Sequence, residues 1–280
     1  MVPSGPTRVV ARSLDKVSGA GAVAALVLLE CTAGLVAAAA WTQSWAVVRR
    51  GHFRIVAWTA AGLGLLAVLA DGAALEEAGR SGGIERSLLV ATASGAVAYL
   101  VVQYSRTDVP AIVVGYVTGA LGAATLAAHA ALIGGWPPML AAVALIAGAV
   151  LVGAVINGML LGHWYLNQPG LKPWALARLT TLGLVATVAS AAVGVVAGTR
   201  LAGASTEGAV LGLPGFGASF GAVFYVIWLG LVVFTGVVVW MARRCVSIRS
   251  IQSATGLYYV ALLTAGVSEF LVRYLMVNAA

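Results

Sequence analysis

Apolar residues in this chain run on where a soluble protein would alternate them with charge. Between Asp108 and Lys172 stand 63 consecutive residues without Asp, Glu, Lys or Arg, broken only by His129, His163 and the turn-forming string Gly134-Gly135-Trp136-Pro137-Pro138. A helix needs about 20 such residues to cross a hydrocarbon layer about 30 Å thick. Charges and turn formers cut the sequence into eight runs of that length: 18–41, 53–72, 87–104, 110–134, 139–162, 174–199, 217–242 and 255–277. None shows the two-residue alternation of a barrel strand, and only helices or closed barrels satisfy every backbone polar group in lipid. The pattern predicts an all-α fold, a polytopic integral membrane bundle of eight transmembrane helices in a single transmembrane domain over 1–280. Pro137-Pro138 breaks one hairpin, Pro169-Gly170 and Pro173 fill another loop, and Pro110 suits a first helical turn, where its missing N–H costs little.

The first run could pass for a signal peptide, because Arg8, Arg12 and Lys16 precede it. Its length, and Glu30 in its middle, predict a retained helix. Leu28-Leu29-Glu30-Cys31 is a poor lipoprotein cleavage site, since a glutamate stands where a small residue is needed.

Composition agrees with the pattern: 61% hydrophobic, 9% charged and 35 glycines, with a mean hydropathy of +1.00. Soluble domains carry about a quarter charged residues. The net charge of +7 is read as the basic loops of a membrane protein and not as a nucleic-acid surface. Cys31 and Cys245 fall at different depths, so no disulfide and no cysteine-based metal site is expected.

An even number of spans puts both termini on one side, with the second, fourth and sixth loops. That terminal end carries Arg8, Arg12, Lys16, Arg80, Arg86 and Arg200. The opposite end carries Arg49, Arg50, Arg54, Arg106, Lys172, Arg178, Arg243, Arg244 and Arg249. The positive-inside rule then turns the opposite end to the cytoplasm and leaves both termini on the extracytoplasmic side of the cell (inner) membrane. The three cations before the first helix pull the other way. Gly115/Gly119, Gly194/Gly198 and Gly217/Gly221 set small residues on single helix faces and predict close packing. Aromatic and basic residues follow both the first and the fifth run, which suits a four-plus-four repeat, although the halves share little residue identity.

Ionisable residues within spans are costly and usually face a protein interior, water or a partner. Glu30 lies about 18 Å from the terminal end and Glu269 about 12 Å, at a rise of 1.5 Å per residue. Arg273 is one turn beyond Glu269 on the same face. Asp71 and His129 also fall in the terminal half. These five are the candidates for a proton or ion relay in one polar pocket. The plainer alternative pairs Glu269 with Arg273, leaves Asp71 in the headgroups and bonds His129 to a nearby carbonyl. Glu30 resists that reading, since its own helix offers no cation at i±3 or i±4.

The densest polar-aromatic string, Gly162-His163-Trp164-Tyr165-Leu166-Asn167-Gln168, leaves the fifth run at the opposite end, where His52 and Arg54 also lie. Boundary Trp and Tyr are ordinary anchors. His163, Trp164, Tyr165, Asn167, His52 and Arg54 are nonetheless candidates for a head-group site. Donors to carbonyl oxygens beside apolar walls suit a quinone. A bis-histidine haem deep in the bundle is disfavoured, because His129 lies near one face and His163 near the other. No His-x3-His pair, phosphate-binding glycine loop or nucleophile elbow occurs.

Three function classes fit: the membrane subunit of a respiratory or redox complex that interacts with quinone and conducts protons, a proton- or cation-coupled small-solute transporter, or a structural membrane anchor. Expected partners are the lipid bilayer and further membrane or peripheral subunits. The span count resembles that of the membrane anchors of some molybdenum-enzyme complexes, a likeness in helix number alone.

Overall fold

The computed structural model describes residues 19–77, 79, 81–168, 170–205 and 217–278. The basic residues Arg8, Arg12, Lys16 and Arg80, and Pro169, lie outside the described residues. The described chain is helical, in the order α1 (Ala20–Gln43), α2 (Arg50–Glu77), α3 (Ile84–Val102), α4 (Val109–Ala130), α5 (Pro138–Trp164), α6 (Trp174–Val196), α7 (Gly198–Ala202), α8 (Ala218–Ser247) and α9 (Ile251–Asn278). All but the five-residue α7 are long and apolar enough to cross a membrane, which makes the chain an integral membrane protein.

Helix ends follow local chemistry more closely than hydropathy. Pro138 opens α5 and Pro110 sits in the first turn of α4, where no intrahelical N–H bond is lost. The α2 helix runs beyond the apolar stretch to Glu77, and α8 continues through Arg243 and Arg244 to Ser247. Hydropathy marks where lipid ends, whereas i→i−4 bonding persists into water. Conversely, α6 stops at Val196, and the residues expected to finish it fold into α7.

Helices α1 to α4 form one closed group, in which α1 and α3 each pack against both α2 and α4. Helices α5, α6, α8 and α9 repeat it: α5 touches α6 and α9, while α8 touches the same two. The groups meet along α1 and α5, with α4 reaching α5 and α9 reaching α1. Glycine sets this central crossing. A Cβ on Gly34 would overlap the carbonyl of Ala149, and one on Gly153 would overlap the Gly34 backbone. Gly115, Gly119 and Gly122 of α4 likewise seat on Ala40, Ala37 and Ala33 of α1. Gly194 receives the ring of Trp228, while Gly217 faces open space. In lipid, where apolar surface gains little by pairing, such close approach through small residues is a principal source of helix cohesion.

Candidate functional site

One turn toward the terminal end from the Gly34 crossing, α1 carries Glu30. It is fully buried, and its partner comes from α9: Arg273 Nε donates to Glu30 Oε1 at 2.7 Å. Arg273 Nη2 donates to Glu269 Oε2 at 2.6 Å and to the Ala144 carbonyl of α5 at 3.0 Å. All three side chains are at most 2% exposed. Gly148 of α5 makes the space, since a Cβ there would strike the Arg273 guanidinium and the Glu269 carboxylate. Glu30 Oε2 is buried without a hydrogen-bond partner among the described residues.

Beside this trio lies a small cavity of about 20 Å³, room for about one water, walled by Glu269 and Arg273, by Ser190 and Gly194 of α6, by Trp228 of α8 and by Trp136 of the α4–α5 loop. Among the described residues Ser190 Oγ and Trp228 Nε1 are both buried and unpartnered. Trp136 and Leu201 of α7 line the cavity on its terminal-end side. Of the five relay candidates, the structure brings together Glu30, Glu269 and Arg273. Asp71 instead pairs with Arg86 of α3 at 3.0 Å, and His129 Nδ1 meets the Thr125 carbonyl at 2.9 Å.

The second polar region is at the opposite end. A groove of about 370 Å³ between the end of α5 and the start of α9 is lined by Gly162, Tyr165, Leu166, Ile251, Gln252, Thr255, Gly256 and Tyr259. His163 is exposed at its edge, with Nδ1 3.4 Å from the Tyr259 hydroxyl. Tyr165 donates to the Lys172 carbonyl at 2.8 Å, and burial pushes its phenol up to about 12. Gly256 leaves space a side chain would occupy.

The other head-group candidates stand apart from this groove. Trp164 turns inward, packs where Gly51 has no side chain, and donates from Nε1 to Gln168 Oε1 at 2.9 Å. Asn167 is exposed in the turn beyond α5. Arg54 lies 4.7 Å over the Tyr104 ring at the end of α3. His52 is buried, its Nε2 3.0 Å from Asn157 Oδ1, and Asn157 Nδ2 donates to Thr42 at 2.9 Å. That chain ties α1, α2 and α5 together.

Several contributors carried little sequence signal. Tyr259, Ser190 and Trp228 look like ordinary residues of apolar helices until the bundle turns them toward a groove or a cavity. Asn157 did carry one, as a lone carboxamide in the most apolar span. Among the described residues no group of three or more His, Cys, Asp or Glu is placed to hold a metal ion. No protein-family model, no curated protein and no solved structure matches the chain.

Proposed function

We propose that this protein is the membrane subunit of a redox assembly in the cell (inner) membrane, and that the α5–α9 groove holds the head group of a quinone or quinol. The observation that carries this reading is the His163–Tyr259 pair at the edge of a groove open at the membrane boundary. A quinone head group is an apolar ring with two carbonyl acceptors. The Tyr259 hydroxyl offers a donor, and Leu166, Ile251 and the glycine surfaces of Gly162 and Gly256 offer apolar wall. The groove volume is in the range of small-molecule sites, about 300–1,000 Å³. Oxidation of a quinol there would release two protons, for which His163 and water at the boundary would be the acceptors, and two electrons, which would pass one at a time to an electron-accepting partner subunit. The basic residues around this end, among them Arg49, Arg178, Arg243 and Arg244, favour a cytoplasmic position for it by the positive-inside rule, with both termini outside.

The test is quinone binding by the purified protein in lipid nanodiscs, with quinone extracted from native membranes as a second readout. His163→Ala, Tyr165→Phe and Gly256→Leu should each weaken binding. Wild-type affinity in all three, or a groove filled by phospholipid alone, refutes the proposal. The transporter reading is favoured by a different observation, the buried carboxyls of the trio. It requires proton-coupled uptake in liposomes that disappears with Glu30→Gln and Glu269→Gln.

A further inference from the structure

We infer that the Glu30–Arg273–Glu269 trio is a proton-loading site holding one exchangeable proton, filled through the Ser190–Trp228 cavity from the terminal end. This inference needs the bundle to sit in a bilayer and does not depend on a quinone at the α5–α9 groove.

Two carboxyls share one guanidinium, and all three side chains are buried within helices long and apolar enough to span a membrane. Arg273 and Glu269 are the charged groups that act on Glu30, and Arg273 the one that acts on Glu269. Among the described residues no other helix packed on α1 supplies compensation there. The α5 helix presents Gly148 and the Ala144 carbonyl, α2 carries Asp71 already paired with Arg86, and α4 carries His129 bonded to its own helix. Cys31 beside Glu30 is an uncharged thiol. With both carboxyls ionised the trio is anionic in a medium that penalises net charge severely. With one proton it is neutral.

Geometry assigns the proton to one of the two carboxyls. Glu269 Oε2 faces the Arg273 guanidinium, as a carboxylate oxygen should. Glu30 engages Arg273 through Oε1 and leaves Oε2 buried without a partner. An unpartnered O–H is far cheaper to bury than an unpartnered anionic oxygen, so the proton resides on Glu30.

Access comes from the cavity, which Glu269, Ser190 and Trp228 line, and among the described residues Ser190 Oγ and Trp228 Nε1 are buried without a partner. Such groups are ordinarily satisfied by buried water. A hydronium in the cavity gives its proton to the Glu269 carboxylate and becomes water. Through cavity water Glu269 yields the proton to the free Oε2 of Glu30 and returns to carboxylate. Beyond the trio toward the opposite end, Leu151, Val152, Val155, Ala261 and Ala265 are buried and apolar and Thr235 is bonded to Thr264, so the Ser190–Trp228 cavity is the opening assigned to loading.

Infrared spectroscopy of the reconstituted protein reads the proton directly. At neutral pH the wild type should show the carbonyl stretch of a protonated carboxyl, shifted in D2O. Both Glu30→Gln and Glu269→Gln should lose it, because one carboxyl facing one guanidinium ionises. Arg273→Lys should retain it. In Trp228→Phe/Ser190→Ala the band should remain but exchange with D2O several-fold more slowly. Absence of the band in the wild type, or its survival in both glutamine variants, overturns the loading site. An unchanged exchange rate in the double variant overturns the route. None of these readouts requires turnover or quinone, so they stand or fall apart from the redox reading.

Discussion

Replacing Gly153 with Ala adds one methyl group at the tightest point of the α1–α5 crossing. The new Cβ would sit within van der Waals distance of three Gly34 backbone atoms, C, O and Cα. A backbone cannot swing aside as a side-chain tip does, so the two helices must separate. Overpacking of this kind costs about 1–3 kcal/mol. Against it stands the conformational gain of Ala over Gly in a helix, about 0.5–1 kcal/mol. The net expectation is a loss of about 0–2.5 kcal/mol, and a deficit of about 1–3 kcal/mol against a glycine-to-alanine change that meets no clash. Gly62→Ala on α2 isolates the second effect, because a Cβ there meets nothing within 4 Å. That variant should be neutral or slightly stabilised. Unfolding in mixed micelles titrated with a denaturing detergent measures both on one scale. If Gly153→Ala proves as stable as Gly62→Ala, the close crossing does not exist and the placement of Glu30 one turn away loses its support.

Removing the guanidinium in Arg273→Met leaves two carboxyls without their counter-ion, and breaking a buried pair in this way costs about 3–5 kcal/mol. Thermal unfolding of the reconstituted variant should show that loss, while Glu30→Gln, which mimics a protonated Glu30, should stay near wild type. Asn157→Leu removes the shared partner of His52 and Thr42 and should cost about 1–3 kcal/mol for the polar groups left buried. For Tyr165 the folded value of about 12 stands above the ordinary phenol value of about 10. Its bond to the Lys172 carbonyl is therefore complete below about pH 10 and is lost as the pH rises toward 12. Protease sensitivity of the α5–α6 loop should rise over that interval in the wild type and be raised at all pH values in Tyr165→Phe.

The eight spans were legible because hydrocarbon imposes a minimum apolar length, and no soluble fold needs 63 uncharged residues in succession. Which faces meet was not legible. Lipid and core are both apolar, so α5 shows no amphipathic stripe although much of it is buried. Only glycine spacing hinted at contacts, and it pointed to Gly115 and Gly119 more clearly than to Gly34 and Gly153, which lie on separate helices. The intramembrane charges were conspicuous one by one, and the i,i+4 spacing foretold the bond between Glu269 and Arg273. The bond from Arg273 to Glu30 spans nearly the whole chain and needed the α1–α9 contact. His52 and His163 shared a face by depth alone. The rotation of α2 and α5 turns one imidazole into the core and the other toward Tyr259.

The central functional claim is that a quinone head group rests between the end of α5 and the start of α9. Photolabelling of the nanodisc-embedded protein with a photoreactive quinone, followed by peptide mapping, tests it most directly. The account predicts label on residues 162–166 and 251–259, competed by unmodified quinone and lost in Gly256→Leu. Label distributed over the lipid-facing helices, or concentrated elsewhere and unaffected by that substitution, contradicts it.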